Sequence, residues 1–212
     1  EDSPGNLTLS ATDIDIGDNL TYTLVSSPSY GNVTITNNQI LFTPFDNLSS
    51  VSSFSDNFTF QVSDGNLTDN ATITLTVQGV NDRPVAHDNS SAGTVIEDSP
   101  GNLTLSATDI DIGDNLTYFQ ASSPQFGNIT IFDNATGYFT FLPFDNLSGG
   151  ASYTDNLTFY VLDNSSTQSN NATITFIVRG VNDRPVAHDN LSTFTVTEDS
   201  PDNLTLSATD ID

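Results

Sequence analysis

Residues 79–115 read GVNDRPVAHDN, SSAGTVI and EDSPGNLTLSATDIDIGDN in succession, and both ends of this stretch occur elsewhere in the chain. GVNDRPVAHDN returns letter for letter at 180–190, while EDSPGNLTLSATDIDIGDN has already stood at 1–19 and begins again at 198. A chain that repeats itself at a fixed spacing is a tandem array, and 79–115 is where one repeat hands over to the next. Glu1 to Glu97 is 96 positions and Glu97 to Glu198 is 101. The offset is 96 at SSPSYGN against SSPQFGN (26–32, 122–128), 99 at PFDNLS (44–49, 143–148) and 101 at NAT (70–72, 171–173). The added residues enter at two turns, where stacked β-domains accept length changes.

Within each repeat the apolar residues alternate with polar ones. Leu7, Leu9 and Ala11 interleave with Thr8, Ser10 and Thr12; Phe58, Phe60 and Val62 with Thr59, Gln61 and Ser63; Ile73, Leu75 and Val77 with Thr72, Thr74 and Thr76. Period two with one wet face predicts antiparallel sheet, and no helical period of comparable length competes. About seven short strands in about 100 residues, punctuated by Gly, Pro, Asn and Asp, predict an all-β fold of tandem immunoglobulin-like sandwiches. The expected division is repeat 1 over 1–80 without its first strand, a linker at 81–84, repeat 2 over 85–181, a linker at 182–185, and the first strands of a third repeat at 186–212.

The chain of 212 residues carries 27 acids, three arginines, no lysine and a formal charge of −24. That field repels nucleic acid and anionic membrane and attracts cations. Cysteine is absent, so there is no disulfide framework and thiols say nothing of the redox compartment. No apolar run approaches the roughly 20 residues needed to span a bilayer, so membrane insertion is not expected. The chain starts inside a repeat motif without a signal-like segment, which places the expected N-terminus of the protein elsewhere.

ATDIDIGDNLTYTLVSSPSYGNVTI, FTFQVSDGN and ATITLTVQGVNDRPVA, in that order, resemble the cadherin-like tandem repeats of large bacterial surface adhesins, and more distantly the animal cadherins. The resemblance covers both full repeats and the fragment at 186–212. It implies an extracellular rod of β-sandwiches, often stiffened by calcium between domains. Carried over position by position, the first joint's ligands would be Glu1, Asp56, Asn81, Asp82, Asp109, Asp111 and Asp163. The second joint would use Glu97, Asp155, Asn182, Asp183, Asp210 and Asp212. Gly79 stands where cadherins usually have the first connector aspartate, and Arg83 replaces an asparagine and could neutralise part of the site. Calcium takes six to eight hard oxygens at about 2.3–2.6 Å, and without a cation the same carboxylates repel one another. Solvated turn acids are the plainer alternative. An EF-hand fits DIDIGD poorly, because the twelfth loop position after Asp13 or Asp109 is Leu24 or Gln120 instead of glutamate.

Asn-x-Ser/Thr is the second dense signal. It occurs at Asn6, Asn19, Asn32, Asn47, Asn57, Asn66, Asn70, Asn89, Asn102, Asn115, Asn128, Asn134, Asn146, Asn156, Asn164, Asn171, Asn190 and Asn203. Chance placement among Ser and Thr at about a quarter of the residues would give about six, and no middle position is proline. On a strand, residues i and i+2 share a face, so Asn and Thr point outward while the middle residue points to the core. Lys, Glu and Gln would serve a wet face equally well and are nearly absent, so dense N-linked glycosylation and a secreted or cell-surface location are expected. Turn asparagines followed by surface threonines produce some triplets unaided.

His87 and His188 have no second histidine, cysteine or lysine nearby to form a triad or zinc site, and no catalysis is expected. Paired aspartates could imitate a glycosidase dyad, but a catalytic pair repeated in every module is improbable. Tyr30, Phe126, Phe45 and Phe144 could stack on sugar, though such aromatics more often fill the core. Residues 198–212 match 1–15 except for Asp202 in place of Gly5. Either the chain is a window on a longer repeat protein or 186–197 is donated to the next copy, and the overlap favours the first. The sequence reads as a non-enzymatic, glycosylated structural module that meets itself head to tail. The alternative is an adhesin domain binding a surface glycan.

Overall fold

The computed structural model describes residues 3–49, 52–189 and 195–212. Contacts divide the chain into two compact units. One is Glu1–Val85 with Thr108–Leu116 and Leu162–Ser169; the other is Ala86–Ala107, Thr117–Val161 and Asn170–Asp212. Two loops of the second sequence repeat, 108–116 and 162–169, therefore pack as part of the first unit.

The first unit contains β1 (Gly5–Thr8), β2 (Thr21–Ser26), β3 (Gly31–Thr36), β4 (Gln39–Pro44), β5 (Ser53–Ser63) and β6 (Thr68–Gln78). They form two antiparallel sheets, ordered β1-β4-β3 and β2-β5-β6. The β3–β4 hairpin closes through Asn37 and Asn38, with Asn37 at φ 55°, a conformation asparagine tolerates. At the β5–β6 turn the Asp64 carboxylate accepts the N–H groups of Asn66 and Leu67 at 2.6 and 2.7 Å. These donors hold its pKa low. Leu9, Ile40, Phe58 and Phe60 form the centre of the core.

The chain continues through β7 (Val85–Ala86), β8 (Thr94–Ile96), β9 (Gly101–Thr104), β10 (Ala107–Thr108), β11 (Thr117–Gln120), β12 (Gly127–Phe132), β13 (Tyr138–Pro143), β14 (Ser152–Leu162), β15 (Ala172–Arg179), β16 (Val186–His188) and β17 (Ser207–Thr209). In the second unit the sheets are β12-β13-β9 and β11-β14-β15-β8, and β16 pairs with β17. Phe139, Phe141, Leu157, Phe159, Val161 and Val178 are completely buried. Each contributes on the order of 1.5–3 kcal/mol relative to exposure. The alternation on β14 is regular: Leu157, Phe159 and Val161 face inward while Asn156 and Thr158 face outward.

Two local expectations change. The alternation over 7–12 is strand only as far as Thr8, and Leu7 is 47% exposed whereas its counterpart Leu103 is 7% exposed. The stretch 85–96, expected from the repeat pattern to be the first strand of repeat 2, is not one strand. It bends between β7 and β8, where Asn89 Oδ1 accepts the Ser91 N–H and Gly93 lies at φ 134°. β8 then joins β15 in parallel, with Val95 opposite Val178. No helix is found among the described residues, so none is long and apolar enough to cross a membrane.

Candidate functional site

The DIDIGD loop folds on its own aspartates. Asp111 N–H donates to Asp109 Oδ1 at 3.0 Å, and Gly113 takes φ 94°. The loop is then fixed by the connector: Asp82 N–H donates to Asp111 Oδ2 at 2.9 Å. Asn81 reaches the other loop of the cluster, its Nδ2 donating to Asp163 Oδ2 at 2.9 Å and Thr167 Oγ1 at 3.1 Å. Thr167 N–H closes that loop on Asp163 Oδ1 at 2.7 Å. Arg83 forms no part of the acid cluster. Its Nε donates to the Gln168 carbonyl at 2.5 Å and its Nη2 to the Ser169 carbonyl at 2.7 Å, which pins the strand-bound end of the loop.

Asp82, Asp109, Asp111, Asp114 and Asp163 thus converge inside the first unit. Asp111 is 4% exposed and Asp163 6%. Burial pushes the Asp111 carboxyl above its ordinary range; the Asp82 N–H opposes this, and the charges of Asp109, Asp82 and Asp114 add to the rise. Oδ2 of Asp109, Oδ1 of Asp111 and Oδ2 of Asp114 are buried without a hydrogen-bond partner. Orphaned carboxylate oxygens are costly unless a charge answers them. One oxygen each from Asp109, Asp114 and Asp163 lies within 4.8 Å of the others. Two ligands on opposite sides of a calcium ion stand about 5 Å apart at most, so the donor set suits that ion.

The pattern recurs. Asp183 N–H donates to both Asp212 oxygens at 3.3 and 3.1 Å, and Asp212 N–H donates to Asp210 Oδ1 at 3.4 Å. Burial raises the Asp183 pKa, and the charges of Asp98, Asp212, Glu97 and Asp145 raise it further. Asp183 Oδ2 is also buried without a partner. Asn182 donates to the Asp183 carbonyl at 2.7 Å as Asn81 does to that of Asp82. Glu97 is 1% exposed and accepts the N–H groups of Leu147 and Val181 at 2.9 and 2.7 Å.

Other sequence candidates are placed differently. Buried Asp56 accepts the N–H groups of Ser29, Tyr30 and Asn57, and buried Asp155 those of Gln125, Phe126 and Asn156, all at 2.8–3.0 Å. Each holds a neighbouring turn with its whole carboxylate. Glu1 and Asn190 lie outside the described residues. Asp114 was missed in the sequence, as was an exposed trio of Asp13, Asp15 and Asp18 with oxygens within 4.8 Å of one another. The 96-residue offset, applied to every acid of DIDIGD, would have found both.

Asn47 is half-buried; every other described triplet asparagine is exposed. Two already use their amide nitrogens, Asn134 on the Tyr118 carbonyl at 2.9 Å and Asn164 on Asp114 Oδ1 at 3.2 Å. Tyr30 packs on Phe54 and Phe126 on Tyr153, with ring centroids 4.7 and 4.8 Å apart, while Phe45 and Phe144 stay partly exposed. His188 meets Thr209 Oγ1 at 2.9 Å.

Glycine at 79 has a steric cause. A Cβ there would collide with the Ser49 carbonyl, and at Gly180 with that of Ser148. The connector aspartate usual in cadherins cannot be housed at either place.

Antiparallel sandwiches in tandem, with aspartate loops gathered beside an Asn-Asp connector, define immunoglobulin-like repeats of the cadherin kind. Residues 81–180 match the bacterial cadherin-like domain and residues 1–76 the bacterial Ig domain, so each of these two segments resembles a bacterial repeat of that kind. Among solved structures, human CDH23 EC21-23 is similar at 19% identity, with 96% of this chain and 77% of that one covered and a TM-score of 0.56. Drosophila N-cadherin EC1-4 gives 17% identity, 97% and 52% coverage and 0.47. An endo-fucoidan hydrolase of glycoside hydrolase family 107 gives 24%, 85% and 26%, and 0.32. The chain thus spans about a quarter of that hydrolase and about half of the N-cadherin chain, and the likeness to CDH23 speaks for the fold alone. No curated protein matches the sequence.

Proposed function

We propose that the chain is a non-enzymatic structural module of an extracellular fibril or adhesin stalk, in which calcium stiffens the place where one repeat passes into the next. The observation that carries this reading is the convergence of Asp109, Asp111 and Asp114 with Asp82 and Asp163, three of them bearing buried oxygens that no protein donor answers. The ion would be held at the first cluster by Asp82, Asp109, Asp111, Asp114 and Asp163 and the carbonyl of Asn81. At the second it would be held by Glu97, Asn182, Asp183, Asp210 and Asp212. It supplies compensating charge and cross-links segments distant in sequence. Asp56 and Asp155 are assigned to their turns instead. The repeats would be divided at 81–84 and 182–185 and continue head to tail, and glycans would cover the exposed faces at the triplets. Thermal melting and electron microscopy in calcium and in excess chelator test the reading: calcium should raise the melting temperature and narrow the spread of inter-repeat angles, and no change in either would overturn it.

A further inference from the structure

The two repeats differ in length at one hairpin, and the difference opens a cleft. Between Thr36 and Gln39 the first unit has only Asn37 and Asn38, whereas between Phe132 and Tyr138 the second has Asp133, Asn134, Ala135, Thr136 and Gly137. Asn38 and Gly137 are the matching ends of the two turns, since their carbonyls accept the N–H groups of Leu9 and Leu105 at 2.7 and 2.9 Å. In the second unit the longer turn closes on β11. Tyr118 N–H donates to the Asn134 carbonyl at 2.8 Å, Asn134 Nδ2 donates to the Tyr118 carbonyl at 2.9 Å, and a Cβ added at Gly137 would come within 2.9 Å of the Tyr118 ring. Tyr118 is buried there, at 8% exposure.

The shorter turn of the first unit has no residue in the place of Asn134. Leu20, Thr21, Tyr22, Asn37 and Asn38 line a cleft of about 500 Å³ there, and Tyr22 is half-buried. Tyr22 holds the register of Tyr118: β2 meets β5 as β11 meets β14, with Thr59 N–H donating to Ser26 Oγ and Thr158 N–H to Ser122 Oγ, both at 2.9 Å. β2 is an edge strand, so the main-chain N–H and carbonyl that Asn134 answers on Tyr118 are turned toward the cleft on Tyr22.

We propose that this cleft binds a neutral mono- or disaccharide. Its size falls within the roughly 300–1,000 Å³ of small-molecule sites. Sugar hydroxyls donate and accept at once, and so do the groups gathered here: the Asn37 and Asn38 carboxamides and the Tyr22 main chain. Asn38 Nδ2 gives one proton to the Leu9 carbonyl at 3.4 Å, which steadies its carboxamide, and Thr21 Oγ1 donates to the Ser63 carbonyl at 3.2 Å and keeps its lone pairs for a ligand. Leu20 and Tyr22 add apolar surface for the C–H face of a sugar ring. Among the described residues no arginine and no acid lines the cleft, so an anion or a metal ion meets no counter-charge in it, and the net charge of −24 repels anions besides. Asn19 stands directly before Leu20 and opens an Asn-x-Thr triplet, so the sugar is either the base of the chain's own glycan or one from outside.

The second unit serves as the control in the test. The 212-residue chain, labelled with nitrogen-15 and made without glycans, is titrated with N,N′-diacetylchitobiose and, separately, with maltose. At least one of them should shift the amide signals of Tyr22, Asn37 and Asn38 saturably and leave those of Tyr118 and Asn134 in place. Writing the second unit's Asp-Asn-Ala-Thr-Gly in place of Asn37 and Asn38 should seal the cleft and weaken binding by about tenfold or more. Asn37→Gly, which keeps the left-handed turn at φ 55° and removes one carboxamide, should weaken it less. No saturable shift with either sugar, equal shifts in both units, or binding that survives the sealed turn overturns the proposal. The same titration on chain glycosylated at Asn19 separates the two sources: binding lost there and restored by enzymatic removal of the glycan assigns the cleft to the chain's own sugar, and unchanged binding assigns it to one from outside. The two readings fail separately, because a cleft that takes no sugar leaves the calcium response of melting untouched, and a chain without that response is still tested here for sugar.

Discussion

The backbone N–H of Asp82 points at the carboxylate of Asp111, 2.9 Å away, and the same contact is made between Asp183 and Asp212. Each connector thus orients an aspartate of the following DxD loop before any ion is present, and each brings its own carboxylate into a crowded field. The first consequence is a stability that depends on the cation. An ion that binds the folded chain alone adds about 2.7 kcal/mol per site at a hundredfold excess over Kd. Calorimetric melting in calcium against chelator should show an increment of that order, and magnesium, which prefers rigid octahedral sites, should give less.

Acid should erase this increment. Asp111 and Asp183 have raised pKa values, chiefly through burial. Without calcium, the stability they contribute is full below their ordinary value of 3.8 and is lost as pH rises through the raised values. With calcium the ionised form is the ligand, and protons compete with the metal. Asp64 and Asp133, whose pKa values are lowered, act in the reverse sense: their stability is present above 3.8 and is lost as pH falls through the lowered values. They contribute equally in both conditions. The difference in melting temperature between calcium and chelator should therefore shrink steadily from pH 7 to pH 4.

Asp111→Asn separates charge from shape. The amide oxygen can still accept the Asp82 N–H, while the repulsion from Asp109, Asp82 and Asp114 disappears. The variant should melt higher than the parent in chelator and lower in calcium. A shift of the same sign in both solutions would mean that Asp111 matters only as a turn residue.

Removing the Arg83 clamp should loosen the loop that presents Asp163. Hydrogen bonds to charged groups contribute about 1.5–3 kcal/mol, so Arg83→Ala should weaken calcium binding by roughly tenfold or more in a calorimetric titration. Amide exchange should quicken at 163–169 and stay slow on β5. Arg83→Lys, which cannot span both carbonyls in the same way, should restore only part of the affinity.

Gly101→Ala should destabilise the second unit by about 1–3 kcal/mol, because the new methyl group meets Val95. Gly5→Ala should be close to neutral, because its methyl enters open space. Urea titrations of the two variants against the parent measure this contrast.

Glycan occupancy is read by mapping asparagine-containing peptides from the native source. Sugars are expected at Asn57, Asn102 and Asn156, which face outward beside the inward-facing Phe58, Leu103 and Leu157. Bare asparagines at most of the exposed triplets would refute the coat.

Strand existence was legible where burial alternates strictly, as at Phe58–Phe60 and Leu157–Phe159–Val161, because period two needs only local residues. The parallel pairing of Val95 with Val178 was not, since it depends on partners 83 positions apart and on a bend at Asn89 and Gly93. The roles of Asp56 and Asp155 were hidden for the same reason. Apart from the adjacent Asn57 and Asn156, their amide partners lie 26–30 residues away, and an aspartate that caps a distant turn looks in sequence like one awaiting a metal. The family resemblance named Asp109, Asp111 and Asp163, whereas Asp114 is the third acid of the repeated DIDIGD stretch and was open to the 96-residue offset from Asp18.

The arginines leave the chain closed to one whole class of attack. With no lysine, a peptidase that requires a cationic side chain before the cut bond has only Arg83, Arg179 and Arg184 to try. Two are followed by proline, whose ring and missing N–H obstruct the catalytic register, and Pro84 is itself fully buried. The third ends β15, held between β14 and β8. Trypsin-like enzymes in the surroundings would therefore find the folded chain almost without a point of entry.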